Sequence, residues 1–326
     1  MFKNVMVYRL GTSALPLEQA EAAVTGARFV ECTATQDKSV GWVEPRGQAH
    51  GPLIESVQGH WILKLLIESK SVPGHLVRRK ADEEAANIEA QTGRRPGKKQ
   101  MRELRDDVLL SLLPQAFARQ SSVLVWLDMK ARRLVLNAGS QGKADEAVSA
   151  LLKAMPGLSI ALLQTATTPQ AAMTEWLLAP TPEDWPADLC VERECTLKAT
   201  GEDAASIRYV RHHLLSDDVR KHVTEGKLPT QLALSWDGRV AFVLTETLQL
   251  KKVQFLDGVM DASGTDKDED RFDADVALST GLLSPLLDSL IEALGGEIAW
   301  GESASAATPE AQAEPVTPAD ADDPPF

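Results

Sequence analysis

Residues 231–257, QLALSWDGRVAFVLTETLQLKKVQFLD, set the tightest limit on the fold: apolar residues alternate along two runs that flank Asp237-Gly238, and a third run follows. Strand side chains point to opposite faces in turn, and an Asp-Gly pair accepts the left-handed backbone of a two-residue turn. The segment therefore predicts a hairpin followed by a third strand. Strand and helix patterns are interleaved through the rest of the chain, which puts it in the α+β class.

In the N-terminal part, NVMVYRL (4–10), KSVGWVEP (38–45) and GHWILKLLIES (59–69) read as strands, and LPLEQAEAAV (15–24) as a helix between Pro16 and Gly26. From residue 74 the composition shifts to Ala and long polar side chains. HLVRRKADEEAANIEAQTG (75–93) and KQMRELRDDVLLSLLPQAFARQ (99–120) read as two helices broken at GRRPGKK, the second with Leu104, Val108, Leu109, Leu112 and Leu113 on one face and kinked or ended by Pro114. They predict a projecting helical hairpin inserted in a sheet, because SSVLVWLDMKARRLVLNAG (121–139) returns to strand, turn and strand. A helix follows at 143–157, with Leu151, Leu152 and Met155 spaced for burial.

A second α+β unit runs from residue 169 to 296. It holds a helix at 169–179, strands at 195–199 and 205–214, a short helix capped by Ser216, the three-strand segment, and a last apolar helix, LLSPLLDSLIEALGG (282–296). The expected organisation is a central α+β region (1–73 and 120–168), a helical insertion (74–119), a second α+β region (169–296) and a disordered acidic tail (297–326).

The formal net charge of −13 is misleading as a guide to partners. Residues 257–326 hold 17 acidic residues against Lys267 and Arg271, which leaves residues 1–256 at +2. Local basic patches therefore matter more than the total. Cys32, Cys190 and Cys195 form no paired framework, as expected of a reducing compartment, and the opening MFKNVMVYRL lacks the apolar core and cleavage site of a signal peptide. Apolar runs such as SIALLQ and WILKLLI fall short of the roughly 20 residues that cross a bilayer, so a cytoplasmic chain without a membrane partner is expected.

Motifs for catalysis are weak. GRRPGKKQ (93–100) has its glycines one residue too close for a phosphate-binding loop and Lys99 where Ser or Thr is required. His212 and His213 are adjacent in a strand-like segment, facing opposite ways, and Cys190 and Cys195 have no zinc-knuckle spacing, so no metal or cofactor is expected. Ser235 lies in no nucleophile elbow. The run DKDEDRFDAD, with Asp266, Asp268, Glu269, Asp270, Asp273 and Asp275, is read as a solvated acidic loop before the last helix; a divalent-metal nuclease site is the alternative.

Basic residues give the stronger lead. Arg94, Arg95, Lys98, Lys99, Arg102 and Arg105 fall within twelve residues, opposed there only by Glu103. Phosphate oxygens are attracted to such a cluster without any reading of bases. A second group comprises Arg208, Arg211, His212 and His213, extended by Arg220, Lys221 and His222, with Arg211 and Tyr209 on one strand face and Val210 toward the core. No helix-turn-helix, zinc finger or RNA-binding aromatic motif accompanies them. A basic hairpin that serves only solubility, on a structural dimer without nucleic acid, remains the bland alternative.

Several ordered segments together resemble one family. FKNVMVYRL, GWVEP, DDVLLSLLPQAFAR, MTEWLL, KLPTQLALSWDGRVAFVL, RFDAD and LLSPLLDSLIEALGG are similar to the recombination-associated RdgC proteins over residues 1–296. The resemblance implies a non-enzymatic, nucleoid-associated protein without a required cofactor. It would enclose double-stranded DNA as a ring-like homodimer with little sequence preference and restrain RecA-promoted recombination. It also implies a central region, a helical tip that gates the ring and a base that closes the other side. By the same resemblance Phe117 is the gate residue and Arg211 and His212 fall at the second contact region, where His212 departs from the family's glutamine. From the residues alone, packing of Phe117 inside its own hairpin is equally open.

Overall fold

The computed structural model describes residues 2–11, 16–201, 205–256 and 268–299, with side chains described from 271 onward in the last of these. Strand β1 (Val5–Leu10) is followed by helix α1 (Leu17–Thr25), which lies between Pro16 and Gly26 as its sequence predicts. Strands β2 (Lys38–Val43) and β3 (Ile54–Val57) share one edge of β4 (His60–Lys70). The sequence pattern does not predict the short β3. Four residues are too few for alternation to show, and the strand is fixed by a tight turn at Gln58-Gly59, both at positive φ (52° and 85°).

Helices α2 (Gly74–Thr92) and α3 (Lys98–Leu112) leave the end of β4 and return into β5 (Ala118–Asp128). β4 and β5 pair along their whole length, from Lys70 opposite Ala118 to His60 opposite Asp128, so the helical pair is an insertion between adjacent strands. The second helix ends just ahead of Pro114, one of the two outcomes its sequence allows. Pro114, which has no N–H to donate, lies in a 3-10 turn at Leu113–Gln115, and β5 has begun by Ala118. Val108 and Leu112 pack on Val77 and Ala81 of α2, whereas Leu109, expected among them, is 36% exposed.

Strand β6 (Arg133–Asn137), helix α4 (Gln141–Ala154) and strand β7 (Ile160–Leu162) complete the first half. Leu151 and Met155 are buried as expected, but Leu152 lies about 100° further round the helix and is largely outside the core. The second half consists of α5 (Pro169–Leu178), β8 (Leu189–Ala199), β9 (Ser206–Val210), α6 (Asp217–Thr224), β10 (Lys227–Trp236), β11 (Val240–Thr245), β12 (Leu250–Phe255) and α7 (Asp268–Ala293). The predicted hairpin is present, closed by Trp236 paired with Val240 across three residues, Asp237 to Arg239, rather than two; Asp237 and Gly238 are both at positive φ.

The strands form one antiparallel sheet of order β2-β4-β5-β6-β1-β12-β11-β10-β8-β9, with β3 beside β4 and β7 beside β1. The halves meet at a narrow seam, where Val5 pairs with Leu250 and the Val253 N–H donates to the Lys3 carbonyl at 2.9 Å. Alternation sorts the core. Met6, Tyr8, Val125 and Leu136 pack with α1 and α4, while Val5, Val7, Trp126 and Val135 turn to a second core shared with α5, α6, α7 and the inner face of β10–β12.

Helix α7 begins at Asp268 rather than Leu282, so the end of the acidic run is helical backbone and not a loop. Asp266 and the side chains of Asp268, Glu269 and Asp270 lie outside the described residues. The stretch Arg271–Ala293 is long and apolar enough to cross a membrane, well beyond the short runs SIALLQ and WILKLLI. In this fold Leu283, Leu286, Leu287, Leu290 and Leu294 fill the second core.

Candidate nucleic-acid interface

Gly93 ends α2 in the left-handed conformation (φ 68°), with its N–H on the Glu89 carbonyl at 2.8 Å, and Gly97 precedes α3. Arg94 and Arg95 therefore sit on the turn, Lys98 and Lys99 in the first turn of α3, and Arg102 and Arg105 one and two turns further along. The spacing of Lys98, Arg102 and Arg105 brings these three to one helix face. All six are exposed. Lys99 lies 3.9 Å from Glu103; the other five have no acidic partner among the described residues.

This placement works against the helix. Cations in a first turn face the positive end of the helix dipole, at a cost of about 0.3–1 kcal/mol each, and no acid in that turn compensates. The same arrangement suits an anion. Exposed cations stand beside the free N–H groups of a helix start, where phosphate oxygens are bound whatever the base sequence.

Phe117 is 95% exposed, so it does not pack inside its own hairpin. After the 3-10 turn, Ala116 takes an extended backbone (φ −78°, ψ 138°) and delivers the chain to β5 with the ring in solvent. Leu110, on α3, is 51% exposed as well.

The second basic group is arranged differently from its expectation. β9 stops at Val210, which is exposed rather than directed to the core; Tyr209 packs against the second core and Ile207 is half-buried. Arg211 has φ 56°, which ends the alternation, so neither His212 nor His213 lies in a strand. The His212 N–H donates to the Arg193 carbonyl at 3.1 Å, and its ring is 5.1 Å from that of Tyr209. Arg208 is engaged by Glu194 (2.5 Å), and Lys252 reaches the same carboxylate at 3.1 Å. These two bonds, Arg208 first, hold the Glu194 carboxyl below the usual range. Arg220, counted with this group from the sequence, donates to the carbonyls of Ala179 and Pro180 and so serves the fold.

The two basic groups are not brought together. β5, which receives the inserted helices, is seven strand steps from β9, about 34 Å along the sheet at ~4.8 Å per step. Arg193 and Lys252, which line a hollow with Arg211, escape any reading of the sequence alone. Sheet irregularities bring them there, and these leave no periodic trace.

In the acidic run, Asp273 pairs with Arg46 at 2.6 Å. Among the described residues no three His, Cys, Asp or Glu side chains cluster closely enough to hold a metal ion.

A family model described as "Putative exonuclease, RdgC" matches residues 1–297. The chain belongs to the RdgC family. It is 40% identical over 303 residues to the recombination-associated protein RdgC of Dechloromonas aromatica, covering 91% of this chain and 98% of that protein. Over similar shares it is 41% identical to the RdgC protein of Janthinobacterium sp. (strain Marseille) and 38% identical to that of Bordetella pertussis. The ordered segments noted in the sequence are thus parts of one RdgC-length match, and membership places this chain among recombination-associated proteins.

Proposed function

We propose that this RdgC-family chain binds double-stranded DNA without sequence preference and without cleaving it, as a ring-like homodimer that limits RecA-promoted recombination. The observation that carries the reading is the group of five exposed, unpartnered cations at the turn and the head of α3, set where they do not help the helix. Each cation that meets a phosphate releases condensed counterions, so binding follows salt and not sequence.

The exposed Phe117 supports a partner contact at the helical insertion. A rigid aromatic side chain left in water gains most by burial against a second copy, and two-fold symmetry then repeats the contact. Arg211 and His212 supply the contact at the other end of the subunit, the base; Arg208 contributes less because Glu194 engages it. A closed ring on DNA obstructs RecA mechanically and holds the protein at the nucleoid in the cytoplasm.

The test is binding of the purified chain to nonspecific duplex over a salt series, with magnesium present and strand integrity read in the same samples. Affinity that falls steeply with salt while the DNA stays intact supports the reading. Absence of binding at low salt turns it into a structural dimer. Cleavage abolished by a chelator and restored by Mg²⁺ or Mn²⁺ would instead favour a nuclease using the Asp266–Asp275 run, the activity named in the family model's description. The Asp273–Arg46 pair weighs against that second reading, since it commits one of those carboxylates.

A further inference from the structure

The outer face of the second half carries a hollow of about 440 Å³. Two sheet irregularities build it. Leu232 and Leu234 of β10 pair with Cys195 and Val191 of β8, so the three residues Glu192, Arg193 and Glu194 stand opposite the single Ala233, two more than an even ladder holds. Likewise Ala241 and Val243 of β11 pair with Gln254 and Lys251, and the intervening Lys252 has φ 53°. Bulges of this kind re-aim side chains. Here they bring Arg193 and Lys252 to the hollow that Arg211 also lines, over the small apolar residues Ala233, Ala241 and Val243. Glu194 is matched by Arg208 and Lys252; Glu192 has no such match, and neither Arg193 nor Arg211 has an acidic partner among the described residues.

A ligand for this hollow would combine carboxylates with a compact apolar group. The chain contains such a segment. Beyond the family match, residues 300–326 include six acids and no Lys or Arg, and Asp320-Ala-Asp-Asp-Pro-Pro-Phe326 sets three carboxylates beside an aromatic ring. We propose that residues 320–326 dock in this hollow of the same chain, with their carboxylates on Arg193 and Arg211 and the Phe326 ring on the Ala-Val surface.

Reach selects this basic surface over the other. Glu297 pairs with Arg9 at 3.3 Å and the Ile298 N–H donates to the Gln164 carbonyl at 3.0 Å, so the described chain leaves beside β1. β1 borders β12, which carries Lys252, and the length of β1 is about 20 Å. Twenty residues, 300 to 319, separate this exit from Asp320, and a flexible linker of roughly that length has a root-mean-square span of about 25 Å. The Arg94–Arg105 cations are much farther away. Arg9 is in register with Arg133, Asp128 and His60, at the opposite end of β4 from Lys70, where α2 departs. Traversing β4 and α2 adds about 60 Å.

Docking would withhold Arg211 from DNA or from a second copy, and that consequence alone rests on the proposed function. The contact itself is tested without DNA, by zero-length carbodiimide cross-linking of the full chain, which joins a carboxylate to a lysine amine. The expected product at low salt joins Asp320, Asp322 or Asp323 to Lys252 within one chain, read in an equal mixture of ¹⁴N and ¹⁵N protein. Its yield should fall several-fold at about 0.5 M salt, where charges are screened within a few ångströms, and likewise in Arg193→Glu/Arg211→Glu and in Phe326→Ser. The Lys252–Glu194 product serves as internal control. Coupling of these aspartates to Lys98 or Lys99, mixed-isotope products, or no Lys252 product would each overturn the proposal.

Discussion

Arg133 on β6 and Asp288 on α7 tie the two halves of the molecule together: the guanidinium Nη1 lies 2.6 Å from the carboxylate Oδ1, with Arg133 buried and Asp288 largely exposed. The contact is ionic without a well-aligned hydrogen bond, since the Arg133 Nη1 and Nε have no hydrogen-bond acceptor. Asp288→Ala should therefore destabilise the fold by about 1–2 kcal/mol, below the value for a fully buried pair, because water reaches the carboxylate. Urea denaturation checks this, and an unchanged midpoint would contradict it.

Lys98→Gln with Lys99→Gln separates binding from folding. If both lysines meet phosphates, the plot of log affinity against log salt becomes shallower by about 2, at ~0.9 for each phosphate no longer neutralised. Thermal stability should hold or rise slightly, since two cations leave the head of α3. An unchanged slope would remove these residues from the interface.

Phe117→Ser should leave subunit stability within about 0.5 kcal/mol of the parent, because the ring has almost nothing to lose on its own chain. Retention on closed circular DNA relative to a short linear duplex should fall. Equal release of the parent protein from both DNAs would argue against enclosure.

The thiols should react in a fixed order. Burial pushes the Cys195 thiol up to about 12, whereas Cys190 is exposed. Labelling with an aromatic disulfide at pH 8 should modify Cys190 promptly and Cys195 only on unfolding.

Acid should loosen the hollow on the second half. Arg208 and Lys252 keep the Glu194 carboxyl below its ordinary range in the folded chain. The resulting stability is fully present above the unfolded-chain value of about 4.3 and is lost as pH falls through the lower folded value. Glu194→Gln should flatten that part of the stability profile below pH 5.

The linear order of residues already carried the elements whose local chemistry is self-sufficient. Asp237-Gly238 fixed the hairpin, Gly93 and Gly97 bounded the inserted helices, and Pro114 marked where the second helix fails. It also exposed the Arg94–Arg105 cluster, because charge density in a short window needs no partner to be seen. Whatever depends on pairing was set only once distant segments met. The register of β9 turned Val210 outward and Tyr209 inward, the return into β5 left Phe117 in water, and Glu194 took Arg208 out of the free basic set. The bulges in β8 and β12 that gather Arg193 and Lys252 beside Arg211 exist only because two strands of unequal count lie side by side. No single segment encodes that mismatch, since it is a property of two strands in contact.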